Sequence, residues 1–136
     1  MEKTVYRFAG AAIIAALALA ATWKGDGTRL AIGLIVGVPS FVLMVVSRRQ
    51  LGSSFSVMPE AKGLVTSGLY SRIMHPMYFF LDLLLIGLIV ILGWPVLVGA
   101  WALLVIVQTL QARREERALS AAFGTQYDAY ANRTWF

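Results

Sequence analysis

Apolar residues are grouped along this chain into four blocks that are separated by short polar stretches. The blocks run from about residue 5 to 23, 30 to 47, 77 to 92 and 95 to 112. A helix of about 20 residues crosses a hydrocarbon core of about 30 Å. Each block is close to that length, the fourth only when its helix continues past Gln108. The pattern predicts an all-α integral membrane protein with four transmembrane helices, built as a single domain over residues 1–136.

The stretches between the blocks indicate how the helices are connected. The segment 24–29 contains two glycines and three charges and ends the first block. We interpret that block as a span, because no clear signal-peptide cleavage site follows it and the next block is again apolar. The third and fourth blocks are joined by Gly93-Trp94-Pro95, which is too short for anything but an antiparallel helical hairpin. Residues 108–123 keep a helical spacing, and Gly124 is expected to cap that helix.

Lysine and arginine are distributed unevenly, with ten on one side of the blocks and two on the other. The two on the sparse side are Lys24 and Arg29. The other ten are Lys3, Arg7, Arg48, Arg49, Lys62, Arg72, Arg113, Arg114, Arg117 and Arg133. Positively charged loops stay in the cytoplasm, so both termini and the long loop after the second block are expected there. This describes a multi-pass protein, expected in a prokaryotic inner membrane.

Composition excludes several classes of function. The chain is 59% hydrophobic and only 14% charged, whereas soluble domains have about 25% charged residues. It has no cysteine and one histidine, which excludes disulfides, thiolate catalysis and cysteine- or histidine-rich metal sites. The net charge of +5 comes from residues that flank the apolar blocks, so we expect the lipid bilayer as partner and no nucleic acid.

Ionisable and aromatic side chains are expected to converge at the cytoplasmic end of the third and fourth helices. His75-Pro76 begins the third block, and Tyr78 follows three residues after the histidine. Asp82 lies seven residues after His75, which is only about 20° round a helix. The pair Glu115-Glu116 lies on the extension of the fourth helix, which the hairpin makes a neighbour of the third. One imidazole and several carboxylates are therefore predicted to share one membrane interface.

Each of these features also has a structural interpretation. Proline suits the first turn of a helix, so His75-Pro76 is also what a simple helix start would contain. A glutamate pair among arginines is typical of a solvated helix face, and Trp94 is typical of an interface anchor. Asp82 is harder to explain in this way, because an acid within a span usually faces a polar interior.

Four sequence elements occur in a particular order and spacing between about residues 48 and 131. They are residues 50–56 (QLGSSFS), 63–70 (GLVTSGLY), 75–78 (HPMY), and the tail Glu115-Glu116-x-x-Leu119 with Phe123-Gly124-x-x-Tyr127-x-x-Tyr130. Together they resemble the isoprenylcysteine carboxyl methyltransferase family. The wider group includes phospholipid N-methyltransferases and, more distantly, sterol reductases.

The resemblance implies a carboxyl O-methyltransferase-like enzyme that uses S-adenosylmethionine and a lipid-like acceptor of the isoprenoid or prenyl-carboxylate type. The cytoplasmic loop and the C-terminal helix would form the cofactor pocket. The implied donor-binding residues are Lys62, Gly63, Leu64, Val65, Tyr70, His75, Pro76, Met77, Tyr78 and Glu115. The candidate catalytic residues are His75, Tyr78 and Asp82, with His75 or Asp82 as the base for an amine acceptor. We expect Glu115 to face the pocket and Glu116 to point toward solvent or the arginines.

Three positions depart from the family pattern. Met74 and Gln111 stand where arginines are usual, and Phe80 stands where a small residue is common. Gln111 is the position that the resemblance associates with the acceptor. These departures leave open a catalytically silent relative that binds a lipid or a protein. A small four-span transporter is less favoured, because the first block has no carboxylate.

Overall fold

The computed structural model describes residues 2–54 and 63–135, and all regular structure in these ranges is helical. The five α-helices are α1 (Glu2–Thr22), α2 (Gly27–Leu51), α3 (Pro76–Leu92), α4 (Val96–Phe123) and α5 (Thr125–Ala131). Each of the four predicted apolar blocks lies in a helix of its own, and the all-helical prediction is confirmed for the described residues.

Two helices, α2 and α4, are long and apolar enough to cross a membrane. Only 22% and 6% of their apolar windows are buried within the protein, so neither is the buried central helix of a soluble domain. The other two predicted spans coincide with shorter apolar segments, Gly10–Leu19 of α1 and the 17 residues of α3. Two spans therefore have the required length, and the arrangement of four spans stays a prediction.

The helix ends follow from local sequence chemistry. Asp26 caps α2, because its side-chain oxygen accepts hydrogen bonds from the backbone N–H groups of Thr28 (2.8 Å) and Arg29 (3.4 Å). Pro76 begins α3, where its missing N–H costs no hydrogen bond. Gly93 ends α3 at a φ of +67°, with its N–H donating to the carbonyl of Ile89 at 2.8 Å. The predicted antiparallel hairpin between α3 and α4 follows from this turn.

The fourth apolar block and the predicted C-terminal helix form one continuous helix. α4 has 28 residues, a length of about 42 Å at the usual rise per residue, and it therefore extends beyond a hydrocarbon core of about 30 Å. Gly124 ends it as predicted, with its N–H donating to the carbonyl of Ser120 at 2.9 Å. The glutamate pair lies on this extension.

The tightest helix packing is between α2 and α3. Gly87 of α3 lies so close to α2 that a Cβ atom built there would be 2.7 Å from the carbonyl oxygen of Gly33 and 3.1 Å from the nitrogen of Gly37. Small residues permit this close approach. The resulting van der Waals contact stabilises helix association in a membrane, where the hydrophobic effect does not act between helices. The α2–α3 pair thus holds the start of α3 beside the end of α2, where the pocket lies.

Candidate functional site

A pocket lies at the polar end of the helices, where α2 ends, α3 begins and the α4 extension passes. Its cavity volume is about 110 Å³. Its described lining is Leu51, Ser54, Gly63, Leu64, Val65, Tyr70, Met74, His75, Met77, Tyr78, Glu115, Leu119 and Tyr130. Ligand pockets commonly have a largely apolar wall with a few converging polar groups, and this lining has that character.

Most of the residues that the resemblance implied for donor binding line this pocket. Gly63, Leu64, Val65, Tyr70, His75, Met77, Tyr78 and Glu115 are all among them. Pro76 does not line the pocket; it is fully buried at the start of α3 and so orients its neighbours. Lys62 lies outside the described residues. Asp82 and Gln111 are absent from the described lining.

One wall of the pocket is a hydrogen-bonded cluster between α3 and α4. The Tyr78 hydroxyl donates to Oε1 of Glu115 at 2.6 Å, and Nδ1 of His75 lies 3.7 Å from Oε2 of the same carboxylate. The His75 and Tyr78 rings are stacked with centroids 5.7 Å apart, since they lie one turn apart on α3. Glu115 therefore presents a fixed negative charge to the pocket, in a partly buried setting where such a charge attracts cations strongly.

Glu116 is placed differently from the sequence prediction. Its Oε1 lies 3.0 Å from Nε2 of His75, whereas we expected it to point toward solvent or the arginines. The reason is that the imidazole lies between the two consecutive glutamates and offers one ring nitrogen to each. Glu115 and Glu116 leave the helix about 100° apart, and the imidazole ring is wide enough to contact both.

Asp82 belongs to a second polar cluster, at a greater depth along the helices. Its carboxylate accepts a hydrogen bond from the indole N–H of Trp101 at 3.2 Å. With the Gln108 amide turned so that its NH₂ group faces Asp82, the nitrogen lies 2.9 and 3.2 Å from the two carboxylate oxygens. Because Gln108 is buried, these bonds satisfy a polar side chain that has little water. The structure groups Asp82 with Trp101 and Gln108 and does not bring it to the pocket beside His75.

The loop over the pocket is fixed to the end of α2. The side-chain oxygen of Gln50 accepts a hydrogen bond from the backbone N–H of Leu69 at 2.8 Å. Gly68 has a φ of +62°, and a Cβ atom there would be 2.5 Å from the Gln50 amide, so this turn requires glycine. Residues Gly68–Ser71 form a 3-10 turn. It buries Tyr70, and this burial raises the pKa of the Tyr70 hydroxyl.

The C-terminal segment encloses the pocket from another side. Tyr127 of α5 donates from its hydroxyl to Sδ of Met74 at 3.4 Å. The backbone N–H of Trp135 donates to the carbonyl of Arg72 at 2.7 Å, and the Arg72 guanidinium lies 5.4 Å from the centroid of the Trp135 ring. Tyr130, between these two contacts, lines the pocket and is 3% exposed.

Sequence reasoning missed Met74 and Tyr130 as pocket residues. Met74 was noted only as a departure from the family pattern, and Tyr130 only as part of the tail motif. The signal that could have found Tyr130 is its spacing, because Tyr127 and Tyr130 lie three residues apart and share a helix face.

Comparison with known families decides the class of protein. The family model described as phospholipid methyltransferase matches residues 28–126, which is more than half of the chain. The chain belongs to the phospholipid methyltransferase family. No curated protein and no solved structure gives a match.

The phospholipid methyltransferase family includes the membrane methyltransferases that resemble isoprenylcysteine carboxyl methyltransferase, so the predicted membership is confirmed. This chain is therefore a membrane protein of a methyltransferase family that acts on lipid-type substrates, and the family implies a methyl donor. The matched range contains α2 from its second residue onward, α3, α4 and the loop between α2 and α3. It ends at residue 126, just before the two tyrosines of α5.

Proposed function

We propose that this protein transfers a methyl group from S-adenosylmethionine to a lipid-like acceptor, of the isoprenoid or prenyl-carboxylate type, at the cytoplasmic face of the membrane. The observation that carries the proposal is the pocket wall in which Tyr78 and His75 hold the Glu115 carboxylate. The ten-to-two bias of basic residues supports a cytoplasmic pocket.

The residues of the pocket fit the chemical groups of such a donor. The sulfonium and ammonium groups are cations, for which Glu115 supplies the opposite charge and the faces of Tyr70 and Tyr78 supply π electrons. The faces of adenine are flat and apolar, and the side chains of Leu64 and Leu119 offer them an apolar wall.

When bound, S-adenosylmethionine supplies an electrophilic methyl group whose C–S bond breaks, with its electron pair left on sulfur, as the acceptor forms the new bond. The protein's contribution is then to position the donor and the acceptor and to exclude water. Tyr78 fixes the Glu115 carboxylate by a 2.6 Å hydrogen bond, so that the charge needs no reorganisation. A carboxylate acceptor needs no base, whereas an ammonium acceptor would lose a proton, which His75 beside Glu116 can receive.

Binding of the donor tests the proposal directly. Isothermal titration of the purified protein with S-adenosylmethionine should give saturable binding, and Glu115→Gln should weaken it at least tenfold. The reason is that a hydrogen bond to a charged group is worth about 1.5–3 kcal/mol, or about 10–150-fold in affinity. Glu116→Gln is the matched control, because it is absent from the described pocket lining. Equal small losses in both variants would reduce the glutamate pair to a solvated helix face.

A catalytically silent relative is the second candidate. It is favoured by Met74, whose sulfur accepts from Tyr127, and by Gln111, whose amide donates to Glu115 at 3.4 Å, since both stand where arginines are usual in the family. Binding of S-adenosylmethionine without methylation of any carboxylate, amine or hydroxyl lipid would support this second function.

A further inference from the structure

The Tyr130 hydroxyl is a buried polar group at the wall of the pocket. Its oxygen has no hydrogen-bond partner among residues 2–54 and 63–135, although the side chain is 3% exposed and lines the pocket. Buried hydroxyls in folded proteins are almost always paired. An unpaired one on a pocket wall therefore points to a partner that enters the pocket.

The neighbouring tyrosine of the same helix gives the contrast. Tyr127 is also buried, but its hydroxyl donates within the protein, to Met74. Its ring packs edge-on against that of Tyr130, with centroids 6.4 Å apart, so the two side chains share one environment. Packing alone accounts for Tyr127, whereas it leaves the hydroxyl of Tyr130 unexplained.

The chemistry of the pocket defines what the Tyr130 hydroxyl can bind. Burial, with a smaller contribution from Tyr127, raises the pKa of Tyr130 to about 12, so the hydroxyl is protonated at neutral pH and can donate. The described lining contains the negative charge of Glu115 and no lysine or arginine. Among the described lining residues, the donors that can hold an anionic group of a ligand at a distance from Glu115 are hydroxyl and N–H groups.

We propose that Tyr130 is a ligand-binding residue whose hydroxyl donates a hydrogen bond to the carboxylate of the bound methyl donor. This inference rests on the proposed function. It divides the pocket into a cation-binding wall on α3 and α4, built around Glu115, and an anion-binding wall that α5 contributes. The short C-terminal helix is then part of the binding site.

The variant pair Tyr130→Phe and Tyr127→Phe tests the assignment in the full-length protein. Affinity is measured by calorimetry for S-adenosylhomocysteine, which carries the carboxylate, and for 5′-methylthioadenosine, which lacks it. Tyr130→Phe should weaken the affinity for S-adenosylhomocysteine about tenfold, the low end for a hydrogen bond to a charged group. Its affinity for 5′-methylthioadenosine should stay within about twofold of the wild-type value. Its melting temperature without ligand should not fall, because no hydrogen bond within the described protein is lost. Tyr127→Phe should change neither affinity.

The outcomes separate the inference from the function on which it rests. Wild-type protein that binds neither ligand would overturn the proposed function and the inference with it. If the wild-type protein binds both ligands and Tyr130→Phe binds S-adenosylhomocysteine with the same affinity, the inference alone is overturned. If Tyr130→Phe weakens binding of both ligands equally, the hydroxyl contacts the nucleoside and the carboxylate assignment is overturned. If Tyr130→Phe lowers the melting temperature and leaves both affinities unchanged, Tyr130 serves packing only and the inference is overturned.

Discussion

Helix α3 contacts its two neighbours by different physical means. Toward α2 it presents Gly87, which brings the two backbones into direct contact at Gly33 and Gly37. Toward α4 it presents polar side chains, and the bonds that join the two helices are Tyr78 to Glu115, His75 to Glu116, and Asp82 to Trp101 and Gln108. The α2–α3 interface is formed by close backbone packing, and the α3–α4 interface is formed by hydrogen bonds.

The difference assigns separate tasks to the two interfaces. Backbone contact through glycines tolerates no added atoms, because packed interiors have few voids, so the α2–α3 pair serves as the rigid frame. Hydrogen bonds between helices in a membrane contribute about 0.6 kcal/mol on average, so the α3–α4 pair is held more loosely. A binding site needs polar groups that can exchange a protein partner for a ligand, and such groups lie on the α4 side of α3.

Breaking the glycine contact should have the largest effect. Gly87→Leu places a side chain where a Cβ atom alone would be 2.7 Å from the carbonyl oxygen of Gly33. We expect a loss of about 3 kcal/mol in unfolding free energy, the upper part of the usual range for overpacking. Denaturant unfolding in detergent micelles would measure it.

Gly99 of α4 provides the matched control for this substitution, because a Cβ atom there would have no neighbour within 4 Å. Gly99→Leu should change the unfolding free energy by less than about 0.5 kcal/mol. Equal stability of the two variants would show that α2 and α3 do not pack through backbone contact.

Removing the deeper polar cluster should have an intermediate effect. Asp82→Leu leaves the buried Gln108 amide without its carboxylate partner, which should cost about 1–3 kcal/mol. Asp82→Asn keeps an acceptor oxygen and should cost less than 1 kcal/mol, about the worth of a neutral hydrogen bond. Thermal unfolding of both variants compares these costs.

Asp82→Asn also tests the catalytic role that we predicted for Asp82. Since Asp82 is bonded to Trp101 and Gln108, we expect Asp82→Asn to keep its affinity for S-adenosylmethionine within about twofold. A turnover more than tenfold lower at normal stability and affinity would instead restore Asp82 as a base.

The smallest effect is expected at Gln111, which donates to Glu115 one turn away on α4. Gln111→Arg should raise turnover with a prenylcysteine-type carboxylate about twofold to tenfold, because a guanidinium binds a carboxylate through two parallel hydrogen bonds. The gain is limited because Glu115 competes for the same guanidinium as an i,i+4 partner. Gln111→Lys, which carries the charge without the paired geometry, should gain less. No gain with any carboxylate would favour a neutral or amine acceptor.

The helices were predictable from sequence, because apolar blocks and glycine or proline at their ends are local properties. The blocks predicted the four long helices but not the short α5, Gly93-Trp94-Pro95 predicted the hairpin, and Gly124 predicted the end of α4. The length of α2 was underestimated at both ends. Asp26 caps the helix, so that it begins before the first apolar residue, and the helix continues through Arg48 and Arg49 to Leu51.

The pocket was predictable as a set of motif positions, and its hydrogen bonds were not. Which glutamate meets which nitrogen of His75 depends on how α3 and α4 are rotated about their axes, and no local pattern contains that rotation. Asp82 was placed correctly on the helix, at seven residues from His75, but its partners Trp101 and Gln108 come from α4. The role proposed for Tyr130 depends on a hydroxyl that has no hydrogen-bond partner among the described residues, which only a folded structure can show.

The glycine contact between α2 and α3 also bears on how copies of this protein could associate. Gly33-x-x-x-Gly37 is a spacing that commonly mediates dimerisation of membrane helices. Here both glycines face Gly87 of the same chain, so the motif is already occupied by an intramolecular partner. A second copy would have to dock elsewhere. Cross-linking designed around the glycine pair would therefore report on the folding of one subunit and not on its assembly.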